Sequence, residues 1–326
     1  MSLCRCVAIA GMAMLLCACV GNEHMSFLNP QGPVARAEAV HFYIVLGIMA
    51  VFVAAPIFIG LPWIVWRYRY ANKAARYAPK WRDSGALTFL TWAGPVAIVI
   101  VLGYFVWRDS HRLNPYKPIA STQAPLQLQV IGYDWKWLVI YPDQGIATIG
   151  TMALPVGRPV TLHLTSATVM QSFFIPALGS QIYAMGGMVT RLNLEATRAG
   201  RYLAENTMYN GNGFHDQKFT AVGMSPADFK KWVDQVKYNG TPLDAQIFSA
   251  IAKRTTREQM AAELPGVVSN DGRFYLSHVS PEQFATVVRA VKAGTAPVLI
   301  STSQTAGGFR NTAMRQAPAA TRRAQP

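Results

Sequence analysis

The sequence predicts a membrane protein in which two transmembrane α-helices precede an extracytoplasmic β-sandwich that carries C-terminal helices. Two stretches, 42–66 and 85–107, contain no Asp, Glu, Lys, Arg or His. Each is long enough to cross about 30 Å of hydrocarbon as a helix. Beyond them, short apolar runs separated by glycine and proline fill 108–224, a spacing typical of a sandwich.

The first nineteen residues hold all four cysteines of the chain. Arg5 precedes an apolar run that ends in Leu-Cys-Ala-Cys at Cys19, as in a signal peptide. Because these four residues resemble a bacterial lipobox, we expect a lipoprotein-type signal peptide over 1–18 and lipidation of Cys19. A plain secretory signal, or an apolar leader that stays attached, is the alternative. The segment 19–41 is then extracytoplasmic.

The two apolar stretches are predicted to be transmembrane helix 1 (42–66) and transmembrane helix 2 (85–107), with two buried core helices as the alternative. Their glycines and prolines are tolerated in membrane spans, where neighbouring helices satisfy the freed backbone groups. The loop 67–84 carries six basic residues before its first acid, Asp83. By the positive-inside rule this loop is cytoplasmic, and the chain on either side of the two spans lies outside.

The formal net charge of +14 does not indicate a nucleic-acid partner. Much of the excess lies in the inner loop and in the tail 301–326, where arginines among Ala, Pro and Gln predict a disordered basic segment. Across 116–309 there are sixteen basic and twelve acidic residues. No concentrated basic face for nucleic acid follows from this balance.

The predicted strands of the outer domain are short runs rich in β-formers, at 126–133, 135–140, 159–166, 169–175, 189–194 and 218–222. In the third run, Val160, Leu162 and Leu164 alternate with polar residues. We therefore expect His163 on a solvated face.

The region 225–300 is predicted to be helical and to contain aromatic core residues. Ser225 begins one amphipathic segment. For a second segment the sequence predicts Ser280 as the N-cap, Pro281 in the first turn and Gln283 as the capping-box partner.

No motif of an independent enzyme is present: the sequence has no nucleophile elbow, phosphate-binding glycine loop or His-Glu-x-x-His pair. We therefore predict no catalytic residue. The carboxylates Asp134, Asp143, Glu195 and Glu205 are expected on solvated faces. Asp134, between Tyr133 and Trp135, is also a candidate for a pairing role.

Longer motifs make the chain similar to subunit II of the respiratory haem–copper oxidases. Residues 132–138, which read GYDWKWL, resemble the tryptophan-rich strand of that family. Residues 169–176, which read VMQSFFIP, resemble the stretch that carries its first copper-binding histidine, and 178–185 continue the match. The resemblance extends from the lipobox to about residue 292, and it implies that the sandwich is cupredoxin-like.

In that family a dinuclear copper centre, CuA, is held by two cysteines, two histidines, a methionine and a glutamate carbonyl. Here the corresponding positions include Gln171, Tyr209 and Gly213, and no cysteine follows Cys19. Because thiolate bridges are indispensable to that centre, we predict neither a metal site nor another cofactor site in this chain. His215, in the same loop, is expected to be solvated.

In lacking these ligands the chain resembles the quinol-oxidase branch of the family, the bacterial cytochrome bo-type ubiquinol oxidases. The resemblance implies an inner-membrane complex that oxidises ubiquinol, reduces dioxygen to water and pumps protons. It places the haems and copper in a partner, subunit I, accompanied by smaller subunits. This chain is then a multi-pass, non-redox structural subunit with its lipid-anchored N-terminus and outer domain on the periplasmic side, and cytochrome c is not a partner.

Two alternatives stay open at this point. Many relatives have a glutamate near the start of the second span that opens a proton path. Here the comparable position is Thr88, with Asp83 nearby, so the sequence does not favour such a path.

The alternative function is a lipid-anchored, copper-less scaffold or binding module outside any oxidase. For it, Met185 and Met188 are candidate ligands of cuprous copper, or simply part of a packed turn.

Overall fold

The structure is a computed structural model that describes residues 29–73 and 84–300. The signal peptide, Cys19, the loop residues 74–83 with Asp83, and the tail 301–326 lie outside the described residues. The predictions made for those segments stay predictions.

Two long apolar helical runs precede the outer domain. The first span, Pro33–Arg67, consists of α1 (Pro33–Met49), a π-helical turn (Ala50–Ala54) and α2 (Ala55–Arg67). The second span is α3 (Gly85–Arg112). At about 1.5 Å per residue, each exceeds the roughly 30 Å of a hydrocarbon core. Their most apolar parts are not buried against the rest of the chain, so these surfaces are suited to lipid or to a partner.

Each span is longer than the apolar stretch that predicted it. The first begins at Pro33 rather than 42, and the second ends at Arg112 rather than 107, because polar residues continue both helices beyond the apolar stretch. The π-helical turn ends two residues before Pro56, which has no N–H to donate to the preceding turn.

The outer domain contains twelve described strands. They are β1 (Leu126–Tyr133), β2 (Lys136–Tyr141), β3 (Ile146–Ile149), β4 (Thr151–Pro155), β5 (Val160–Ser166), β6 (Gln171–Phe173), β7 (Ile182–Ala184), β8 (Thr190–Leu194), β9 (Gly200–Glu205), β10 (Lys218–Met224), β11 (Thr241–Pro242) and β12 (Phe274–Ser277). Seven form one sheet in the order β11-β12-β3-β2-β1-β5-β8, three form β4-β10-β9, and two form β6-β7. Within the large sheet, β1 pairs with β2 antiparallel and with β5 in parallel.

Four helices follow the last strand of the three-stranded sheet. They are α4 (Pro226–Asn239), α5 (Ala245–Ala252), α6 (Arg257–Glu263) and α7 (Gln283–Lys292). As predicted, α4 is capped by Ser225, whose hydroxyl accepts from the backbone N–H of Asp228. The predicted order of two apolar spans, a β-sandwich and then helices is confirmed.

Both faces of the seven-stranded sheet are covered, which the strand patterns did not predict. On one face, Leu128 of β1 belongs to a core with Phe173 and Phe219. On the other, Ile131 belongs to a second core that α5, α6 and α7 complete. The C-terminal helices therefore pack on the sandwich itself.

Two local predictions differ from the structure. His163 is half-buried rather than solvated, because β5 lies between β1 and β8; its Nε2 is 3.1 Å from Gln127 Oε1, and burial lowers its pKa. The capping prediction at Ser280 is right only in part: its hydroxyl accepts from the backbone N–H of Glu282 at 3.3 Å, but α7 itself begins only at Gln283. The Gln283 side chain instead bonds the carbonyl of Val298 and the N–H of Ile300.

Chain segments adjoining the two spans are attached to the sandwich. Before the first span, the N–H of Gln31 donates to the carbonyl of Ala177 at 2.7 Å, and its own carbonyl accepts from the N–H of Thr197 at 2.8 Å. After the second span, Asn193 Nδ2 donates to the carbonyl of Pro115 at 3.0 Å. Both attachments involve the β-sandwich surface, so the sandwich is held to the spans at two places.

Candidate functional site

The positions that the resemblance assigns to CuA lie where three chain segments meet. Gln171 begins β6, the loop 206–217 connects β9 to β10, and Tyr133 ends β1 before the turn to β2. The side chains of Gln171 and Gln217 both donate to the Tyr133 carbonyl, at 3.2 and 3.3 Å. The end of β1 is therefore the point around which the site is built.

A pair of glutamines forms the centre of the site. Gln217 Nε2 donates to Gln171 Oε1 at 2.5 Å, and the two residues are 1% and 0% exposed. Gln171 Nε2 also lies 3.2 Å from Thr168 Oγ1. A buried amide needs such partners, because leaving one unpaired costs about 1 to 3 kcal/mol.

Two buried asparagines complete the network. Asn206 and Asn210 each donate an Nδ2 hydrogen to Gln217 Oε1, at 3.0 and 2.8 Å. Asn206 Oδ1 accepts from the backbone N–H of Ser172 and of Met208, both at 2.9 Å. We call Gln171, Asn206, Asn210 and Gln217 the amide cluster; it joins β6 to the loop 206–217.

Close packing in this loop requires glycine at 213. A Cβ on Gly213 would lie 2.3 Å from Cδ2 of Trp135, closer than real contacts allow. Trp135 is held there by the two-residue turn between β1 and β2, in which it adopts a φ of 66°. Its ring therefore occupies the space that a side chain at 213 would need.

The other predicted loop residues point away from the amide cluster. Tyr209 is 74% exposed, and its ring contacts that of Phe214 at 5.8 Å between centroids. His215 is exposed, with Nε2 3.1 Å from Asp216 Oδ1. The structure thus brings Gln171 and Gly213 near the end of β1 but leaves Tyr209 and His215 at the surface.

This arrangement does not fit a dinuclear copper centre. The groups at its centre are neutral amides already bonded to one another, whereas such a centre needs soft thiolate bridges. Gly213 has no room for a cysteine side chain. Across 29–73 and 84–300, no group of three or more His, Cys, Asp and Glu residues is placed to hold a metal ion.

Met185 and Met188, the candidates for cuprous copper, form a turn. The N–H of Met188 donates to the carbonyl of Met185 at 3.3 Å, and Gly187 between them has a φ of 71°. Met188 is 56% exposed.

Asp134 is paired within this chain, so its expected solvation is wrong; a pairing role at a subunit interface stays a prediction. Its Oδ1 accepts from Thr168 Oγ1 at 2.9 Å, and its Oδ2 lies 3.6 Å from Arg254 Nε. The Arg254 guanidinium carbon stands 5.2 Å from the centre of the Trp135 ring. The β1–β2 turn is thereby tied to the loop after α5.

Lys136 strengthens the same connection. Its Nζ donates to the carbonyls of Lys253 and Thr255 at 2.8 and 2.7 Å, although the residue is 2% exposed. Burial lowers the pKa of this lysine to about 8. A lysine at the start of a strand did not by itself predict that contact.

Three members of the amide cluster, Asn206, Asn210 and Gln217, were not predicted from the sequence. The available signal was the presence of four amide side chains, these three and Asn212, in the loop that lacks cysteine. Amides are common in solvated loops, so only the fold distinguishes these buried ones.

Comparison with known proteins identifies the family. The chain is 39% identical over 275 residues to cytochrome bo(3) ubiquinol oxidase subunit 2 of Pseudomonas putida, covering 84% of this chain and 82% of that protein. It is 38% identical over 279 residues to ubiquinol oxidase subunit 2 of Acetobacter aceti, covering 85% and 84%. The chain belongs to the ubiquinol oxidase subunit 2 family. No family model matches it.

Among solved structures, the chain is similar to the periplasmic domain of subunit II of cytochrome oxidase from Bradyrhizobium japonicum. The identity is 21% and the TM-score 0.35, with 37% of this chain and 99% of that chain covered. Membership of the ubiquinol oxidase subunit 2 family confirms the predicted family and oxidoreductase class. Together with the two spans, it indicates a membrane-bound oxidase subunit.

Proposed function

We propose that this chain is the non-redox structural subunit II of a ubiquinol oxidase. The observation that supports the proposal is the amide cluster: Gln171, at a position where the resemblance expects a copper ligand, is bonded to Gln217. An amide does not change its oxidation state, so the outer domain supplies no electron relay. The enzyme activity belongs to the complex.

Electrons are then proposed to enter from ubiquinol within the bilayer and to reach haem in subunit I, which also holds the copper. The charge of the outer domain supports this route. A basic cytochrome c docks best on an acidic surface, whereas 116–309 contain sixteen basic and twelve acidic residues.

Apolar surfaces support the assembly with subunit I. On the spans, Phe58 and Trp92 are 77% and 73% exposed. On the outer domain, exposed apolar side chains lie next to β6 and β7, at Val169, Met170, Tyr183, Met188 and Val189. Soluble surfaces rarely expose such groups together unless they contact a partner or a membrane. The smaller subunits of the complex are further proposed partners.

The proposed location is the bacterial inner membrane, with the basic loop 67–84 in the cytoplasm. The outer domain and a lipid-bearing Cys19 lie on the periplasmic side. Mass spectrometry of the mature N-terminus tests the lipid: an acylated Cys19 is expected, and a mature chain that begins elsewhere would contradict it.

Proton uptake is proposed to run through subunit I alone. Thr88 lies in the first turn of α3, and a hydroxyl passes protons but does not gather them as a carboxylate does. Thr88→Val and Asp83→Asn should each leave proton uptake by the complex unchanged. A loss in either variant would place a proton path in this chain.

Oxygen uptake by the purified complex tests the main proposal. With ubiquinol as donor we expect sustained turnover, and with reduced cytochrome c alone we expect none. Metal analysis of this chain, separated from subunit I, should find no stoichiometric copper. Turnover on cytochrome c without quinol, or copper bound to this chain, would overturn the proposal.

The alternative of a free-standing scaffold differs in what purifies with the chain. A subunit of an oxidase brings haem absorbance with it through affinity purification from membranes. Purification in stoichiometric yield without haem would favour the scaffold.

A further inference from the structure

We propose that the outer ends of the two spans bind the phosphate head group of an anionic membrane phospholipid. This binding site goes beyond the proposed oxidase role and requires only that the two spans lie in a membrane. It is formed by a cavity of about 280 Å³ between α1 and α3. Its lining includes Arg36, Val40, His41, Ile44, Arg108 and Arg112.

A buried carboxylate fixes the two helices on either side of this cavity. Asp109 is 6% exposed and accepts from Arg108 Nε at 2.8 Å and Nη2 at 2.9 Å. His41 on α1 places Nδ1 2.5 Å from Asp109 Oδ2. The contact spans the gap between α1 and α3, so the cavity wall is held in place before any ligand binds.

Two cationic side chains in the cavity remain for a ligand. Asp109 balances the charge of Arg108, whereas Arg36 and Arg112 are exposed and form no ion pair within the part of the chain that the structure describes. They lie on opposite helices and line the same cavity. Two guanidinium groups in that position suit a phosphate, which arginine binds through paired hydrogen bonds.

The depth of the cavity points to a lipid as the source of that phosphate. The uncharged stretches begin at 42 and end at 107, so Arg36 and Arg112 lie just outside the hydrocarbon. Val40 and Ile44 line the same cavity and provide apolar surface. A phosphate with acyl chains satisfies both parts, because arginines bind the phosphate and the apolar lining accepts the start of the acyl chains.

Photo-crosslinking in the intact complex tests this site. Wild-type complex in phosphatidylcholine nanodiscs would receive a trace of photoactivatable phosphatidylglycerol, and the labelled peptides of this chain would be located by mass spectrometry. We expect label within 33–44 and 108–113, with inorganic phosphate at 10 mM failing to displace it. An equally labelled phosphatidylcholine probe should not label these peptides.

The matched variants are Arg36→Gln/Arg112→Gln and, as a control with the same charge change, Arg191→Gln/Arg201→Gln on exposed outer strands. We expect the apparent affinity for the phosphatidylglycerol probe to fall about 30-fold in Arg36→Gln/Arg112→Gln, since each arginine near an anionic lipid contributes about a fivefold change. The control variant should bind the probe as the wild type does. Equal labelling of wild type and the first variant, or no label because a partner covers the cavity, would overturn the proposal. Complete displacement by inorganic phosphate would also overturn it, since the site would then bind the free anion.

Discussion

The β-sandwich and the two spans meet their burial requirements in opposite ways. In the sandwich, both faces of the large sheet are covered, and buried amides such as Gln171 and Gln217 bond one another. Over the described part of the spans, the buried residues are Ala35, Ala39 and Asp109. The sandwich is therefore stabilised mainly from within, whereas the spans depend on lipid and on a partner.

A charge in the middle of a span should impair the spans and leave the sandwich unchanged. Val99 lies near the centre of α3 and is 67% exposed. Val99→Asp should disfavour membrane integration by about 3 kcal/mol, because aspartate at the centre of a span is poorly tolerated. Alkaline extraction of membranes measures the integrated fraction, and Val99→Leu is the control. If Val99→Asp also lowered the unfolding temperature of the outer domain relative to Val99→Leu, the two regions would not be stabilised independently.

A change in the loop 206–217 should have the opposite pattern. Gly213→Cys places a side chain against Trp135 and should lower the free energy of unfolding of the outer domain by about 2 to 3 kcal/mol. Membrane integration should not change. Urea unfolding of the full chain in detergent and reductant, followed by tryptophan fluorescence, measures the effect. Gly266→Cys is the control, because a Cβ there meets no neighbour within 4 Å; equal stability of the two variants would refute this packing.

Loss of one amide should cost somewhat less. Gln217→Ala leaves Gln171 Oε1 without its donor and removes the acceptor of Asn206 and Asn210. We expect a loss of roughly 2 kcal/mol in the free energy of unfolding. Gln246→Ala, at an exposed position of α5, should be neutral. A Gln217→Ala chain as stable as that control would mean that the amide cluster does not stabilise the loop.

The ion pair at the edge of the site should contribute little to stability. Asp134→Asn keeps an acceptor for Thr168 but removes the charge that faces Arg254 at 3.6 Å. A double-mutant cycle with Arg254→Gln should give a coupling below about 1 kcal/mol that weakens with added salt, because Arg254 is largely exposed. A larger, salt-independent coupling would show that this pair is part of the buried interior.

Local signals predicted the strands well where hydrophobic runs were bounded by turns. The run 126–133 coincides with β1, and Ser225 caps α4 as its sequence indicates. At Ser280 the pattern was right for the hydroxyl, which accepts from the N–H of Glu282, but wrong for the capping-box partner, because the Gln283 amide is used for a distant contact. Capping patterns describe one turn, and tertiary contacts decide between competing hydrogen bonds.

For the site, the sequence predicted only that no copper centre is held there. The missing cysteines exclude a thiolate centre from the sequence alone. What replaces it depends on Gln171 and Gln217 meeting across 46 residues of chain, and on a tryptophan ring filling the space beside Gly213. Such distant contacts leave no local pattern, which is why Asn206 and Gln217 were missed.

The attachments at Gln31 and Pro115 restrict how the whole molecule is able to move. A domain joined to a membrane span by a single flexible linker is able to rotate about it. The outer domain is instead hydrogen-bonded to the chain before the first span and after the second, through the carbonyls of Ala177 and Pro115. Any tilt of the helix pair must therefore carry the outer domain with it. A protein that binds the two spans inside the bilayer therefore also sets the orientation of the surface around Tyr183 and Met188. One binding event then orients the spans and the outer domain together.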